Sequence, residues 1–171
     1  MKQVIYAIGM LMLIISGQAT AQTSETAFMT RSSIINSPFL SGAKTSVAAK
    51  VVTTALDRFH KDYKDAKDVE WVEVPTGYRA YFLQDAVLTA VDYTKKGRLY
   101  SVIRYGKDLL THQMRMKLDD KFEHMQIKEV TEVKIADFAT KAYVIVLEGA
   151  KSLKTVQIID GEIEELHEAE K

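Results

Sequence analysis

The sequence predicts an α+β protein in which two tandem helix-plus-four-strand repeats form a curved antiparallel sheet with the helices on one face. Three short segments between Tyr78 and Gly106 are rich in β-branched and aromatic residues and are joined by tight turns. A helical stripe of apolar residues precedes them. The same order of patterns then recurs at an offset of about 59 to 66 residues.

The N-terminus has the pattern of a secretory signal peptide over residues 1–21. Lys2 is followed by an apolar stretch from Val4 to Ile15 and by the cleavage pattern Ala19-Thr20-Ala21. The apolar stretch is short for a membrane span, which disfavours the alternative of an uncleaved anchor. We therefore expect a periplasmic or secreted protein with no integral membrane segment after cleavage.

Residues 22–46 are rich in Ser, Thr and small residues, and this composition predicts a flexible leader. Three apolar pairs interrupt it, at Phe28-Met29, Ile34-Ile35 and Phe39-Leu40. These pairs leave open the alternative that the leader docks on the domain or on a partner.

The first predicted repeat covers residues 47–106. Apolar residues spaced three and four apart predict a helix from Val47 to Tyr63, with Thr45 or Ser46 as its cap. Four strands should follow it, at residues 68–74, 78–83, 87–93 and 98–105. The turns between them contain Pro75-Thr76-Gly77 and Lys95-Lys96-Gly97.

The second predicted repeat covers residues 107–171. Leu110, Met114, Leu118 and Phe122 recur every four residues and predict a helix from Lys107 to Phe122. Four strands should follow it, at residues 126–135, 142–148, 153–159 and 162–167, with a turn at Asp160-Gly161.

Composition excludes several classes of protein. Removing Lys2 with the signal leaves 22 basic residues against 23 acidic ones, and such a balance argues against a nucleic-acid or anionic-membrane surface. The chain has no cysteine, so it has neither a disulfide framework nor a cysteine that could accept a lipid.

Catalytic and cofactor motifs are absent from the sequence. No serine lies in a nucleophile elbow, and Ser101, within a predicted strand, should pair across the sheet. The glycines form no phosphate-binding loop, and the four histidines are isolated. Asp119, Asp120, Glu123 and His124 cluster, but such a cluster is usually a solvated helix end. We expect no enzyme activity, no metal and no cofactor.

Three stretches of the sequence carry a resemblance to a known family: Phe59 to Trp71, Tyr78 to Phe82 and Ala90 to Gly97. From about Val47 onward, the chain resembles the exported PepSY-like proteins of Bacteroidetes, which are related in fold to the β-lactamase inhibitor protein. The second repeat departs further from the pattern because it has no tryptophan. The resemblance implies a non-enzymatic periplasmic module, either inhibitory or adaptor-like, and brings no catalytic residues with it.

Aromatic and arginine side chains are concentrated in the first predicted sheet. If the helices cover one face, alternation should leave tyrosine and arginine on the other. These residue types are enriched in protein interfaces, although tyrosines also fill sheet surfaces as cross-strand pairs. The candidate binding residues are Trp71, Arg79, Tyr81, Arg98, Tyr100 and Arg104.

The sequence therefore predicts an exported module that binds a protein or an extended peptide through the open sheet face. Inhibition of an exported hydrolase would be one form of this function. The alternative is a periplasmic protein that binds a small lipid or sugar, and it requires an apolar cavity with a few convergent polar groups.

Overall fold

A computed structural model describes residues 51–171 of the chain. The predicted signal peptide, the predicted leader and the proposed caps Thr45 and Ser46 lie outside the described residues. No helix of the described part combines the length and the apolar character that a membrane span requires.

Eight strands form one antiparallel sheet, and each strand pairs with its neighbours in sequence. The strands lie where the turn residues and β-branched segments predict them, within a few residues at each end. Their bounds are β1 Lys67–Val74, β2 Gly77–Gln84, β3 Val87–Thr94, β4 Leu99–Tyr105, β5 Gln126–Ile135, β6 Lys141–Glu148, β7 Ser152–Ile159 and β8 Glu162–Glu170.

Helix α1 is Thr53–Asp62, which is shorter than the predicted helix. Val52 is extended, with φ −61° and ψ 135°, and its side chain makes no capping hydrogen bond. Val51 is buried in the core rather than continuing the helix. The adjacent valines at positions 51 and 52 disfavour an earlier helix start, because β-branched side chains are restricted against the preceding turn.

Helix α2 is His112–Lys121, and it also begins later than predicted. Residues Lys107–Leu109 form a 3₁₀ turn instead. Thr111 is extended, and its Oγ1 accepts a hydrogen bond from the Met114 N–H at 3.2 Å. A threonine at this position satisfies one of the free N–H groups of the first turn, so the helix starts at His112.

The predicted fold class, a balanced α+β protein built from two helix-plus-four-strand repeats, is wrong. The described residues form a sheet-rich fold: one eight-stranded antiparallel sheet with only two ten-residue helices. β4 pairs directly with β5, so the sheet continues through the point where the sequence predicted a boundary between repeats. Both helices are shorter than predicted. The valines at 51 and 52 delay the start of α1, and the Thr111 cap sets the start of α2.

Both helices pack on the same face of the sheet, which we call the helix face. A ladder of directly paired residues crosses this face and comprises Phe82, Thr89, Arg104, Glu132, Tyr143, Ile158 and Ile163. Phe82 belongs to the core cluster that contains Ala55 and Phe59 of α1. Tyr143 and Ile158 belong to the cluster that contains Leu118 of α2.

Two glycines allow close contacts within the first half of the fold. A Cβ on Gly77 would lie 2.1 Å from the carbonyl oxygen of Tyr93, on the neighbouring part of β3. Gly97, with φ +77°, lies in the β3–β4 turn, where a Cβ would be 2.8 Å from the Ala55 nitrogen. Only glycine suits both positions, and the second lets the turn pack against the start of α1.

Candidate functional site

The face opposite the helices carries Arg79, and we call it the Arg79 face. Two ladders of directly paired residues define it. The first comprises Val72, Arg79, Asp92, Ser101 and Ile135. The second comprises Glu70, Tyr81, Ala90, Ile103, Val133, Ala142, Ile159 and Glu162.

A buried ion pair lies on the Arg79 face between β2 and β3. Arg79 Nε donates to Asp92 Oδ1 at 2.5 Å, and Arg79 Nη2 donates to Asp92 Oδ2 at 2.9 Å. The Ser101 hydroxyl donates to Asp92 Oδ2 at 2.8 Å. Arg79 is 9% exposed and Asp92 is 3% exposed. This bidentate pair fixes both side chains, because the planar guanidinium matches the carboxylate geometry.

Arg79 remains charged in this position. Burial alone would lower the pKa of its guanidinium, but hydrogen bonds and the charge of Asp92 raise it, and the net pKa lies above the ordinary value. A buried charge is tolerated where a partner and further hydrogen bonds compensate it. The predicted cross-strand role of Ser101 is confirmed by its bond to Asp92.

Tyr81 is held beside this ion pair. Arg79 Nη1 donates to the Tyr81 hydroxyl oxygen at 3.2 Å, and the guanidinium carbon lies 5.8 Å from the centre of the tyrosine ring. Tyr81 is half-buried. Its ring is therefore positioned before any partner arrives, which lowers the entropy lost on binding.

Three further side chains extend the partly exposed surface around Tyr81. Leu83, Leu88 and Tyr105 are half-buried and pair directly with one another across β2, β3 and β4. Burial is the largest cause that raises the pKa of Tyr105, and the nearby Tyr81 raises it as well. We call Tyr81, Leu83, Leu88 and Tyr105 the Tyr81 strip.

The centre of the Arg79 face is buried and cannot supply exposed contacts. Ala90 and Ile103 are 0% exposed, and Val133 and Ala142 are nearly so. The partly exposed apolar side chains of the strip lie towards the end of the sheet where β2 turns into β3.

The structure divides the six predicted site residues between different places. Arg79 and Tyr81 share the Arg79 face and contact each other. Trp71 pairs with Ala80 on the helix face, where its ring centre lies 5.3 Å from that of Phe59. Trp71 therefore packs on α1 and does not join Tyr81.

Arg104 also lies on the helix face, in the part of the ladder between the two helix clusters. Its Nη1 is 3.7 Å from Glu132 Oε1. Glu132 is buried and accepts hydrogen bonds from Lys141 at 3.1 Å and from the Tyr143 hydroxyl at 3.0 Å. Burial, followed by the bond to Glu132, raises the pKa of Tyr143. This group compensates a buried carboxylate beneath the helices.

Arg98 and Tyr100 lie near the β3–β4 turn. Arg98 is exposed, and its N–H donates to Thr94 Oγ1 at 3.2 Å. The register of β3 and β4 shifts here, so that Tyr100 has no directly opposed residue. This irregularity breaks the alternation of faces on which the sequence argument relied.

Asp92 is the buried partner of Arg79 that the sequence argument missed. A signal for it exists, because Asp92 is the single charged residue of β3 and Arg79 lies one hairpin away. Charged residues are almost never buried unless they are paired.

Other features of the described residues offer little chemistry. Among residues 51–171, no three His, Asp or Glu side chains converge in a way that could hold a metal ion. A shallow depression is lined by Asp57, Arg58, Lys61 and Asp62 of α1. Its lining is charged, which does not match the apolar cavity that the small-ligand alternative requires.

Comparisons with known proteins show a shared fold. No family model and no curated protein matches the chain. Solved structures do match it. A DUF2874 family protein from Bacteroides uniformis has 14% identity and a TM-score of 0.60, and the match covers 70% of this chain and 89% of that one.

Two further solved structures have the same fold. A candidate periplasmic protein from Bacteroides eggerthii has 15% identity and a TM-score of 0.59, with 70% of this chain and 88% of that one covered. A BLIP-like protein from Bacteroides fragilis has 15% identity and a TM-score of 0.57, and the match covers 70% of this chain and 86% of that one. None of these three is described as an enzyme.

Proposed function

We propose that this chain is an exported, non-enzymatic binding module that holds another protein or an extended peptide through the Tyr81 strip. The observation that carries the proposal is the fixed position of Tyr81, a half-buried aromatic ring bonded to a buried ion pair at the edge of an apolar surface. Rigid aromatic anchors of this kind dominate binding energy in protein interfaces.

The likeness to a BLIP-like protein and to a candidate periplasmic protein supports an exported binding role at the level of fold. Inhibition of an exported hydrolase is the specific form that we propose to test first. The binding roles of Trp71, Arg98, Tyr100 and Arg104 stay predictions, and the structure separates them from the Tyr81 strip.

Affinity capture with the full chain tests the proposal, with periplasm and culture medium of the producing cell as the source of partners. We expect a retained protein whose affinity falls by more than about fivefold in Tyr81→Ala, which corresponds to about 1 kcal/mol. Leu88→Ala should weaken the same complex, since its side chain lies in the same strip.

Leu166→Ala is the matched control, because it removes an exposed apolar side chain on β8, outside the strip and outside the predicted site. Tyr81→Phe removes the hydroxyl that Arg79 contacts but keeps the ring, so it distinguishes the contribution of the hydroxyl to binding from that of the ring. Equal retention by wild type, Tyr81→Ala and Leu88→Ala would refute the surface. Each variant is first checked for a wild-type unfolding transition, so that lost binding is not lost folding.

A further inference from the structure

The sheet of the described residues has two edges, β1 and β8, each paired on one side only. An edge strand presents unpaired N–H and C=O groups that another extended chain can bind. Proteins usually protect such edges with charges and with irregular pairing. The two edges of this sheet differ in how far they are protected.

β8 carries several of these protective features. It holds five glutamates, all exposed: Glu162, Glu164, Glu165, Glu168 and Glu170. Its pairing with β7 shifts register in the middle of the strand, which leaves Leu166 without an opposed residue. Lys154 also ties Glu165 and Glu168 back onto β7. A second strand would meet both like charges and a bulge along this edge.

β1 is less protected. Its register shift is confined to the start of the strand, and from Glu70 to Val74 it pairs with β2 without interruption. Trp71, Val72 and Val74 in this stretch are half-buried. Five consecutive residues therefore present a regular edge with an apolar character that β8 lacks.

The charges of this edge indicate what would pair with it. Glu70 lies opposite Tyr81 on the Arg79 face, and Glu73 lies opposite Tyr78 on the helix face. Neither glutamate has an ion-pair partner within residues 51–171. Directly opposed charges interact across paired strands. A second copy of this edge would bring two more glutamates, whereas a partner segment with basic residues would neutralise Glu70 and Glu73.

We propose that the β1 edge is a strand-addition site for an extended segment of a partner protein, with two basic residues that flank two apolar ones. The spacing follows from the edge itself, since Glu70 and Glu73 are three residues apart and enclose Trp71 and Val72. Basic residues would oppose the glutamates, and the apolar pair would oppose Trp71 and Val72. The inference rests on the proposed function only in that the chain binds a polypeptide; it uses a different surface.

The test uses the full chain and a blocked hexapeptide, Thr-Lys-Val-Val-Lys-Thr, as the probe. Trp71 is the single tryptophan of the chain and lies on β1, so its fluorescence reports on this edge directly. We expect a saturable change in its emission and slower amide exchange in β1. The same peptide methylated on alternate backbone nitrogens should not bind, because it cannot form the ladder of hydrogen bonds.

Charge reversal supplies the specificity test. Glu70→Lys/Glu73→Lys should lower the affinity for the lysine peptide by about tenfold or more. The same double variant should prefer the matching peptide that has glutamate in place of lysine. Glu162→Lys/Glu170→Lys makes the same change in net charge on β8 and should leave the preference for lysine intact. If both double variants reverse the preference for the lysine peptide to the same extent, the preference depends only on net charge, and the proposal is overturned.

Other outcomes also overturn the site. These are equal binding of the methylated peptide, exchange protection on β8 instead of β1, and no binding at millimolar peptide. Protection of β1 that grows with protein concentration without peptide would identify a second copy as the occupant instead. Tyr81→Ala should leave peptide binding at β1 unchanged. The peptide therefore tests the β1 edge alone, and protein capture with Tyr81→Ala tests the Tyr81 strip alone.

Discussion

Replacing Asp92 by leucine tests whether the buried ion pair organises the Arg79 face. The substitution keeps the number and branching of the side-chain heavy atoms but leaves Arg79, only 9% exposed, without its carboxylate partner. Opposite charges 4 Å apart interact by about 4 kcal/mol at an effective dielectric constant of 20. Removing one partner of a buried pair destabilises proteins by about 3–5 kcal/mol. We therefore expect Asp92→Leu to lower the free energy of unfolding by about 4 kcal/mol.

A double variant separates the pair from its surroundings. Arg79→Met should destabilise the protein by a similar amount, whereas Arg79→Met/Asp92→Leu should lie within about 1–2 kcal/mol of wild type, because no uncompensated charge remains. Ser101→Ala removes a single hydrogen bond to Asp92 and should cost about 1 kcal/mol.

Urea unfolding followed by Trp71 fluorescence measures these differences, since Trp71 packs against Phe59 and reports loss of the α1 core. The ion pair does not organise this face if Asp92→Leu lowers the free energy of unfolding by less than about 1 kcal/mol, or if the double variant loses as much stability as the two single variants together.

Three further predictions concern packing and pH. Gly77→Ala should lower the free energy of unfolding by about 3 kcal/mol, because a Cβ would lie 2.1 Å from the neighbouring strand. A Cβ on Gly106 would have nothing within 4 Å, so Gly106→Ala should stay within about 1 kcal/mol of wild type in the same urea assay. Tyr93→Phe removes a buried hydroxyl that lacks a partner within the described part of the chain and should stabilise by about 1 kcal/mol. Burial raises the pKa of Tyr93, so wild-type stability should also fall more steeply than that of the variant above pH 10. The bond from Lys154 lowers the pKa of Glu168 below its ordinary 4.5, so the contact should be present above that pH and lost as the pH falls further. The protection of backbone amides from exchange, measured relative to the intrinsic rate at each pH, should therefore fall between neutral pH and pH 3 more in β8 than in β3, and an equal fall would contradict this.

The strands were predictable because their signals are local. Turn residues such as Pro75-Thr76 and Asp160-Gly161 end one strand and start the next, and the bounds of β5 agree with the predicted ones. The helices were less predictable, since an apolar stripe shows which face packs but not where the helix begins. The Thr111 side chain and the consecutive valines at 51 and 52 decide that point, and they shift the balance of the fold towards sheet.

The candidate site was only partly predictable, for reasons of register. Alternation within β2 correctly places Arg79 and Tyr81 on one face, and the structure joins them. The relation between β2 and β4 depends on how the strands are aligned, and a shift of one residue exchanges the faces. The irregularity at Tyr100 introduces such a shift, and the register places Arg104 on the helix face.

The order of the strands has a consequence for how the chain folds. Each strand pairs with its immediate neighbours in sequence, so every connection except the one that contains α2 is a short turn. Local pairings close small loops, and proteins with such low contact order fold faster than sandwiches of similar size. Pairing can also proceed from one end as successive segments become available, because no early strand must wait for a distant partner. We therefore expect wild type to refold on the order of milliseconds, and Gly77→Ala, which disturbs the first hairpin, to slow refolding.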